Sequence, residues 1–421
     1  MPTWAERLLC DQPFEPDVGN PTVGRGIMAL ATVATSRTHR LSLFGTILEY
    51  YDYALYGFCA GFMADKFFPN IDPEWALCQT YLLFCSGSLA KPLGALIFGW
   101  IGDVKGRRPA LRWSMLGIII PTFTIAFMPE GLSPKIAMVI VLLSRMAQGI
   151  FIAGESDGVR IRLFESGGSV YILNAATGIS CYIGIYLASH AAHFAEIMPD
   201  LWRIPFILGG SAGLLLFLAR RNLTESPQFL RPKQLIGKPN LQGLLATILL
   251  CGSVGGTYHL FFVYQPTYWS KILGIVTPAA AQGLISTSLL VYIPSLFLSA
   301  LLAEKYGGKR VILAGILSEL LFVPFVTTSL PILIFCSIAL AAIHSPGFVL
   351  LMRQFPSSSR YRHISFGHSV GSLLFSGSAP LVASYFWQKW HQPNLLKYHL
   401  IILFGMGLIG LSLIKPFEKE G

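Results

Sequence analysis

Several ionisable side chains stand inside long apolar stretches of this 421-residue chain, and their types and spacing define the chemistry open to it. Glu49 and Asp52 lie three residues apart in Glu49-Tyr50-Tyr51-Asp52-Tyr53, a spacing that puts both carboxylates on one helix face. Lys91 stands in Ala90-Lys91-Pro92-Leu93-Gly94, and Arg145 in Ser144-Arg145-Met146-Ala147-Gln148-Gly149. Glu155 and Asp157 follow Arg145 in the same stretch, and Glu319 stands without a charged neighbour in another. A charge at bilayer depth costs about 2.5–3.5 kcal/mol or more, so residues kept there are functional candidates by default. Apolar surroundings disfavour an ionised carboxyl group. Asp52 and Glu49 are therefore the candidates to take up and release a proton. Arg145 and Lys91 are the candidates to meet a carboxylate on a small molecule. A fixed ion-pair cluster that only ties helices together is the competing reading for members of this set. His259 and His344, also in apolar runs, read as hydrogen-bonded packing residues.

These residues must be positioned by membrane-spanning helices. The chain is 53% hydrophobic and only 12% charged, where ordinary globular domains carry about 25% charged residues. Apolar runs long enough to cross a bilayer recur twelve times, at 41–64, 78–101, 110–128, 136–160, 169–194, 203–220, 241–264, 280–303, 311–329, 331–352, 364–390 and 397–415. At about 1.5 Å per residue, Glu49, Lys91, Asp52 and Arg145 share the middle of the membrane. Trp75, Trp202, Trp269, Trp387 and Trp390 sit near predicted ends, as an interfacial aromatic belt requires. Basic residues crowd the segments on the side of the N-terminus, which places both termini in the cytoplasm. The formal charge of +10 thus reads as topology and not as a nucleic-acid surface. Seven cysteines lie mostly in apolar runs without metal-binding spacing. No nucleophile motif, phosphate loop or metal constellation is present, so the chain reads as neither an enzyme nor a cofactor protein.

The order of these runs predicts a cytoplasmic tail over 1–40, a six-helix half over 41–220, a cytoplasmic central loop over 221–240, a second half over 241–415 and a short tail over 416–421. One motif occurs in both halves. Asp103-Val104-Lys105-Gly106-Arg107-Arg108 follows the second run, and Glu304-Lys305-Tyr306-Gly307-Gly308-Lys309-Arg310 follows the eighth. Each gives acid, base, glycine and further bases in a tight loop, where glycine permits the sharp turn. Asp103, Gly106, Arg107 and Arg108 in one half, and Glu304, Lys305, Gly307, Lys309 and Arg310 in the other, are the predicted inner gate. Glu155 is assigned to gating with them.

With these pieces in place, the chain resembles the major facilitator superfamily, and within it the metabolite:proton symporter branch of proline and betaine, 2-oxoglutarate, citrate and shikimate importers. Glu49-Tyr50-Tyr51-Asp52-Tyr53 followed by Tyr56-Gly57 is similar to that branch's first helix. Phe67-Phe68-Pro69, Arg145…Gln148-Gly149, Ala153-Gly154-Glu155, Trp202-Arg203-Ile204-Pro205-Phe206 and Glu225-Ser226-Pro227-Gln228-Phe229 follow in the expected order. Tyr264-Gln265-Pro266-Thr267-Tyr268, Phe355-Pro356…Arg360-Tyr361 and Gly377-Ser378-Ala379-Pro380 match later landmarks. There are departures. Lys91 stands where the branch has arginine, Val104 occupies a basic position, Gln354 replaces an acid, and Arg160 and Arg162 are unusual where they stand.

The resemblance implies an all-α membrane protein with the major facilitator fold, its twelve helices in two halves and its site between them. It implies a monomeric, multi-pass protein of a bacterial inner membrane, in the lipid bilayer, using no nucleic-acid partner. The expected function is proton-coupled uptake of a small carboxylate or zwitterionic metabolite by alternating access. Tyr51 and Gln148, beside Asp52 and Arg145 in the matching motifs, join Arg145 and Lys91 as expected substrate contacts. Proton-driven export of a drug- or siderophore-like amphiphile, and a membrane sensor that transports nothing, are the alternatives.

Overall fold

The computed structural model describes residues 37–59, 73–129, 131–166, 168–230, 240–325, 330–392 and 394–415. Residues 1–36 of the predicted tail, Phe67-Phe68-Pro69, residues 231–239 of the central loop and residues 416–421 lie outside the described residues. Every regular element among the described residues is helical.

The first six long helices are α1 (Arg37–Phe58), α2 (Pro73–Val104), α3 (Arg107–Ala126), α4 (Pro134–Glu165), α5 (Val170–Ile197) and α6 (Ile204–Ala219). A single helical turn, Pro227–Leu230, follows. The remainder are α7 (Leu241–Tyr258), α8 (Pro278–Tyr306), α9 (Gly308–Phe322), α10 (Leu330–Met352), α11 (Arg360–Gly371), α12 (Ala379–Trp390) and α13 (Leu395–Leu413). Eight stretches among the described residues are long and apolar enough to cross a membrane. The helix α1, with Glu49 and Asp52 in its middle, is not one of them. It is already helical at Arg37 and Arg40, before the apolar run that begins at Leu41.

Helix packing sorts the elements into two bundles. Within α1–α6, α2 packs on α4, α1 on α5 and α6, and α3 on α4 and α6. Within α7–α13, α7 packs on α11 and α13, α8 on α10, and α9 on α10 and α13. The bundles meet where α2 and α4 face α11, α2 faces α12, and α5 faces α8 and α10.

Two local features set the site. Beyond α7 the chain runs through π turns at His259–Tyr264 and Tyr268–Ile272, on either side of Pro266, which lacks an N–H for a regular ladder. A third, Ser372–Ser376, joins α11 to α12. Second, α2 and α4 touch backbone to backbone. A Cβ on Gly149 would run into the carbonyl oxygen of Gly87, and one on Gly94 into that of Ile150. This contact fixes Lys91 and Arg145 relative to each other.

Gly149→Val should therefore destabilise the first bundle by about 1–3 kcal/mol, as overpacking does. Gly283→Val, on α8 where a Cβ meets nothing within 4 Å, should leave stability unchanged. Thermal midpoints of the two variants in detergent check this, and equal midpoints would refute the close packing of α2 on α4.

Candidate functional site

Asp52 and Arg145 are bound into one polar layer inside the first bundle. Asp52 is 5% exposed, and its Oδ2 lies 3.3 Å from Thr122 Oγ1 on α3. The same hydroxyl is 3.0 Å from the Ile118 carbonyl and accepts from Gln148 Nε2 at 3.0 Å. One hydroxyl proton cannot serve both Asp52 and Ile118. With Asp52 ionised, Thr122 must turn its proton to the carboxylate. With Asp52 protonated, the carboxyl can donate to Thr122, whose own proton then stays on Ile118. Both proton states of Asp52 thus have a hydrogen-bonding arrangement. Gln148 Oε1 accepts from Arg145 Nη1 at 3.0 Å, and Arg145 also donates to the Tyr53 carbonyl at 3.3 Å. The Arg145 guanidinium lies 4.8 Å from the Tyr53 ring and 4.8 Å from the Tyr56 ring. Lys91 Nζ is 4.6 Å from the Tyr53 ring, whose hydroxyl pairs with Ser88 Oγ at 3.3 Å. Tyr51 turns towards α6 and donates to the Pro205 carbonyl at 3.0 Å.

Glu49 differs from Asp52. It is 1% exposed, and neither carboxylate oxygen has a hydrogen-bond partner among the described residues.

A second polar layer lies where the bundles meet. His344 Nδ1 on α10 is 2.8 Å from the Tyr292 hydroxyl on α8 and 3.1 Å from the Tyr182 hydroxyl on α5. The two tyrosine rings cross edge to face at 4.6 Å. His259 Nδ1 pairs with Ser376 Oγ at 2.9 Å, which joins the first π turn beyond α7 to the one after α11. Asp157 on α4 meets His368 Nδ1 on α11 at 2.8 Å. The guanidinium of Arg160 sits 4.0 Å from the Phe348 ring on α10.

The duplicated motif lies at one end of the bundles. Gly106 has φ +115° and Gly307 φ +88°, conformations in which glycine avoids the cost other residues incur. Asp103 accepts the backbone N–H of Tyr361 at 3.2 Å and of Arg362 at 3.1 Å, so its carboxylate rests on the first turn of α11. An anion is favoured there by the helix dipole and the free N–H groups. Arg362 Nε adds an ion pair at 2.9 Å. Glu304 makes the corresponding contact in the other direction: it accepts from Ser169, the residue preceding α5. Each acid thus reaches from its own bundle to the start of a helix in the other.

Glu165 is the centre of this end. It takes Arg107 in a fork, Nε at 3.1 Å and Nη2 at 2.8 Å, and Arg360 Nη1 at 2.9 Å. Ser226 Oγ donates to it at 2.6 Å. Arg107 is fully buried and pairs with Asp103 as well, at 3.1 Å. Glu225, from the connection between bundles, accepts the backbone N–H of Arg107 and Arg108 at 3.0 and 3.1 Å, on the first turn of α3.

The other expected gate residues divide. Arg108 donates to the Arg221 carbonyl at 2.7 Å. Glu155 pairs with Arg220 at 2.5 Å and with Ser114 at 2.9 Å, entirely inside the first bundle. Lys309 is buried and donates to the Ile414 carbonyl at the end of α13, and Lys305 and Arg310 are exposed. Glu319 is fully buried inside the second bundle, and neither of its carboxylate oxygens has a hydrogen-bond partner among the described residues. Sequence reasoning did not find Glu165, Arg360, Arg362, Tyr182, Tyr292 or His368. Their partners come from distant helices, and of the six only His368, a histidine in an apolar run, carried a local signal.

Comparison with known proteins fits this geometry. Residues 41–236 match the family model described as sugar (and other) transporter. The chain is 26% identical to the proline/betaine transporter of Salmonella typhimurium, over 88% of this chain and 81% of that one. It is 27% identical to the citrate-proton symporter of Klebsiella pneumoniae, over 81% of this chain and 83% of that one. The proton:xylose symporter XylE superposes with a TM-score of 0.72 at 14% identity, covering 93% of this chain and 95% of the other, which establishes the fold. With its apolar helices, its paired bundles and these matches, the chain is a multi-pass membrane protein with the major facilitator fold, similar to membrane transporters of that fold.

Proposed function

We propose that this transporter is a proton-coupled symporter that takes up a small carboxylate or zwitterionic metabolite by alternating access. In this reading twelve helices span the bilayer, with α11 and α12 making one span and α7 continuing through its π turns. Both termini lie in the cytoplasm and the protein works as a monomer in the inner membrane. The observation that carries the reading is the pair of buried carboxylates on α1. Glu49 lacks any hydrogen-bond partner among the described residues, and Asp52 has a hydrogen-bonding arrangement for either proton state. A carboxylate held only for structure would be fully paired. The names of the relatives, a proline/betaine transporter and a citrate-proton symporter, support a small charged substrate.

The motif ends are the cytoplasmic gate in this reading, and the gate is shut. Asp103 and Glu304 lock each bundle to a helix start in the other, and Glu165 gathers Arg107 and Arg360. Opening to the cytoplasm requires those contacts to part together. Substrate then meets Lys91 and Glu49, while Arg145, Gln148 and Tyr51, already bonded within the first bundle, hold the layer in shape.

Uptake of labelled dicarboxylates, tricarboxylates, proline and betaines into proteoliposomes, with and without an inward proton gradient, tests the reading. One coupled proton and one pH unit drive about tenfold accumulation. Asp52→Asn should drop that ratio to one while leaving expression and counterflow exchange in place. Undiminished accumulation in the variant would remove Asp52 from the coupling role, and outward movement of an amphiphile would favour export instead.

Removing one partner of a buried ion pair costs about 3–5 kcal/mol. Glu165→Gln should therefore weaken the closed state and expose the interior to the cytoplasmic side. A single cysteine at Ser369, 2% exposed on α11, should then react with a thiol reagent about tenfold faster or more in the variant, tenfold corresponding to 1.4 kcal/mol. Equal rates would mean that Glu165 does not hold the gate.

A further inference from the structure

Arg160 is a cation with too few acceptors for its place. It stands on α4 and is 3% exposed. Its Nε has no hydrogen-bond partner among the described residues, and its Nη2 reaches only the Cys181 sulfur at 3.7 Å. A thiol is a weak acceptor. Nη1 is 4.0 Å from Asp157 Oδ1, whose carboxylate makes closer contacts, 2.8 and 3.1 Å, with His368. Arg220, whose Nε likewise has no hydrogen-bond partner among the described residues, and Arg107 differ in having a close carboxylate. Arg220 has Glu155 at 2.5 Å, and Arg107 has Glu165 on two donors at 3.1 and 2.8 Å. Arg145 is held by Gln148, the Tyr53 carbonyl and two tyrosine rings.

The position of Arg160 matters as much as its satisfaction. Its guanidinium stacks on Phe348 of α10, so the side chain crosses from the first bundle to the second. Cys181 of α5 and Asp157 of α4 flank it on its own side, and His368 of α11 lies beyond Asp157. The donors left over are Nε and Nη2, the same edge with which Arg107 grips Glu165. That edge matches a carboxylate in a bidentate pair, which lysine cannot reproduce. Phe348 covers the face of the guanidinium, and on that edge Nε has no hydrogen-bond partner among the described residues while Nη2 has only the Cys181 sulfur.

We propose that the Nε–Nη2 edge of Arg160 binds a carboxylate of the transported molecule between the two bundles, displacing the Cys181 contact. This rests on the reading of the protein as a carboxylate or zwitterion transporter, but not on its coupling to protons. Arg160 is thus a substrate-binding residue in addition to Lys91, and a carboxylate group is the part of the substrate that it selects.

Equilibrium binding to the purified full-length chain tests this without a gradient. The probes are labelled proline, glycine betaine, 2-oxoglutarate and citrate, each set against its own amide. Charge-assisted hydrogen bonds of about 1.5–3 kcal/mol predict that wild type binds at least one acid about 10–100-fold more tightly than the amide. Arg160→Gln should bring that ratio to one, and Arg160→Lys should leave an intermediate ratio. Asp157→Asn combined with Arg160→Gln removes both charges and serves if the single variant does not fold. A purely structural arginine would weaken acid and amide alike and leave their ratio intact. An unchanged ratio in the glutamine variants, or no acid preference by wild type for any probe, overturns the proposal. An Arg160-dependent ratio without gradient-driven accumulation would discard symport and keep this assignment. Accumulation with an unchanged ratio in Arg160→Gln would do the reverse.

Discussion

A charge withdrawn from water must find a partner or a reason to be without one. Burying a carboxylate or a guanidinium costs several kcal/mol per ion even after the protein relaxes, and close geometry with additional hydrogen bonds is needed to offset it. Most charges buried here meet that condition. Glu155 has Arg220 and Ser114, Glu165 has Arg107, Arg360 and Ser226, and Asp103 has two arginines and two backbone N–H groups. Against that background Glu49, Glu319 and Arg160 stand out, because each is deeply buried and incompletely matched. Helix packing follows from the same constraint. The small residues that let α2 touch α4 bring Lys91 and Arg145 to one tyrosine ring, where both cations find a negative face in place of water.

The joint between the bundles is built from two kinds of contact. At the motif end it is ionic and backbone-based: Asp103 on the start of α11, and Glu304 on Ser169 before α5. Deeper in, it is made of hydroxyls, imidazoles and rings, with Tyr182, Tyr292 and His344 as its centre. Contacts of the first kind are strong at short range and fall away when geometry is lost, which suits a closure with two discrete states. Contacts of the second kind tolerate rearrangement, since a hydroxyl can donate or accept.

Much of this was legible in the residues alone. Charge spacing in α1 located Glu49 and Asp52, and the acid–base–glycine order located both turns that carry Gly106 and Gly307. What could not be read was direction. Tyr51, turned about 100° from Asp52, bonds to Pro205 of α6, and Gln148, on the same face as Arg145, is taken up by Arg145 and Thr122, so both are bonded inside the first bundle. Glu155 was grouped with the gate for its place near a helix end, but its face points to Arg220. Lys309 follows the motif and is nevertheless held by the last turn of α13. Arg160 was conspicuous as a departure from the family's pattern, and only the fold places Phe348 beneath it. Partners supplied by another helix leave no trace in local spacing.

The π turn at Ser372–Ser376 has a consequence for how this sequence can change. It holds one residue more than a regular helix would need over the same rise, and the N–H of Gly377 reaches back five residues to the Ser372 carbonyl at 2.7 Å. Deleting one residue there would restore the ordinary ladder at little local cost. The residues beyond it would keep nearly the same facing, because the wider turn has already absorbed the surplus residue, so that Trp387 would stay near Tyr268. The π turn is therefore a point where this span can lose a residue without the rotation of about 100° that a deletion in a regular helix imposes.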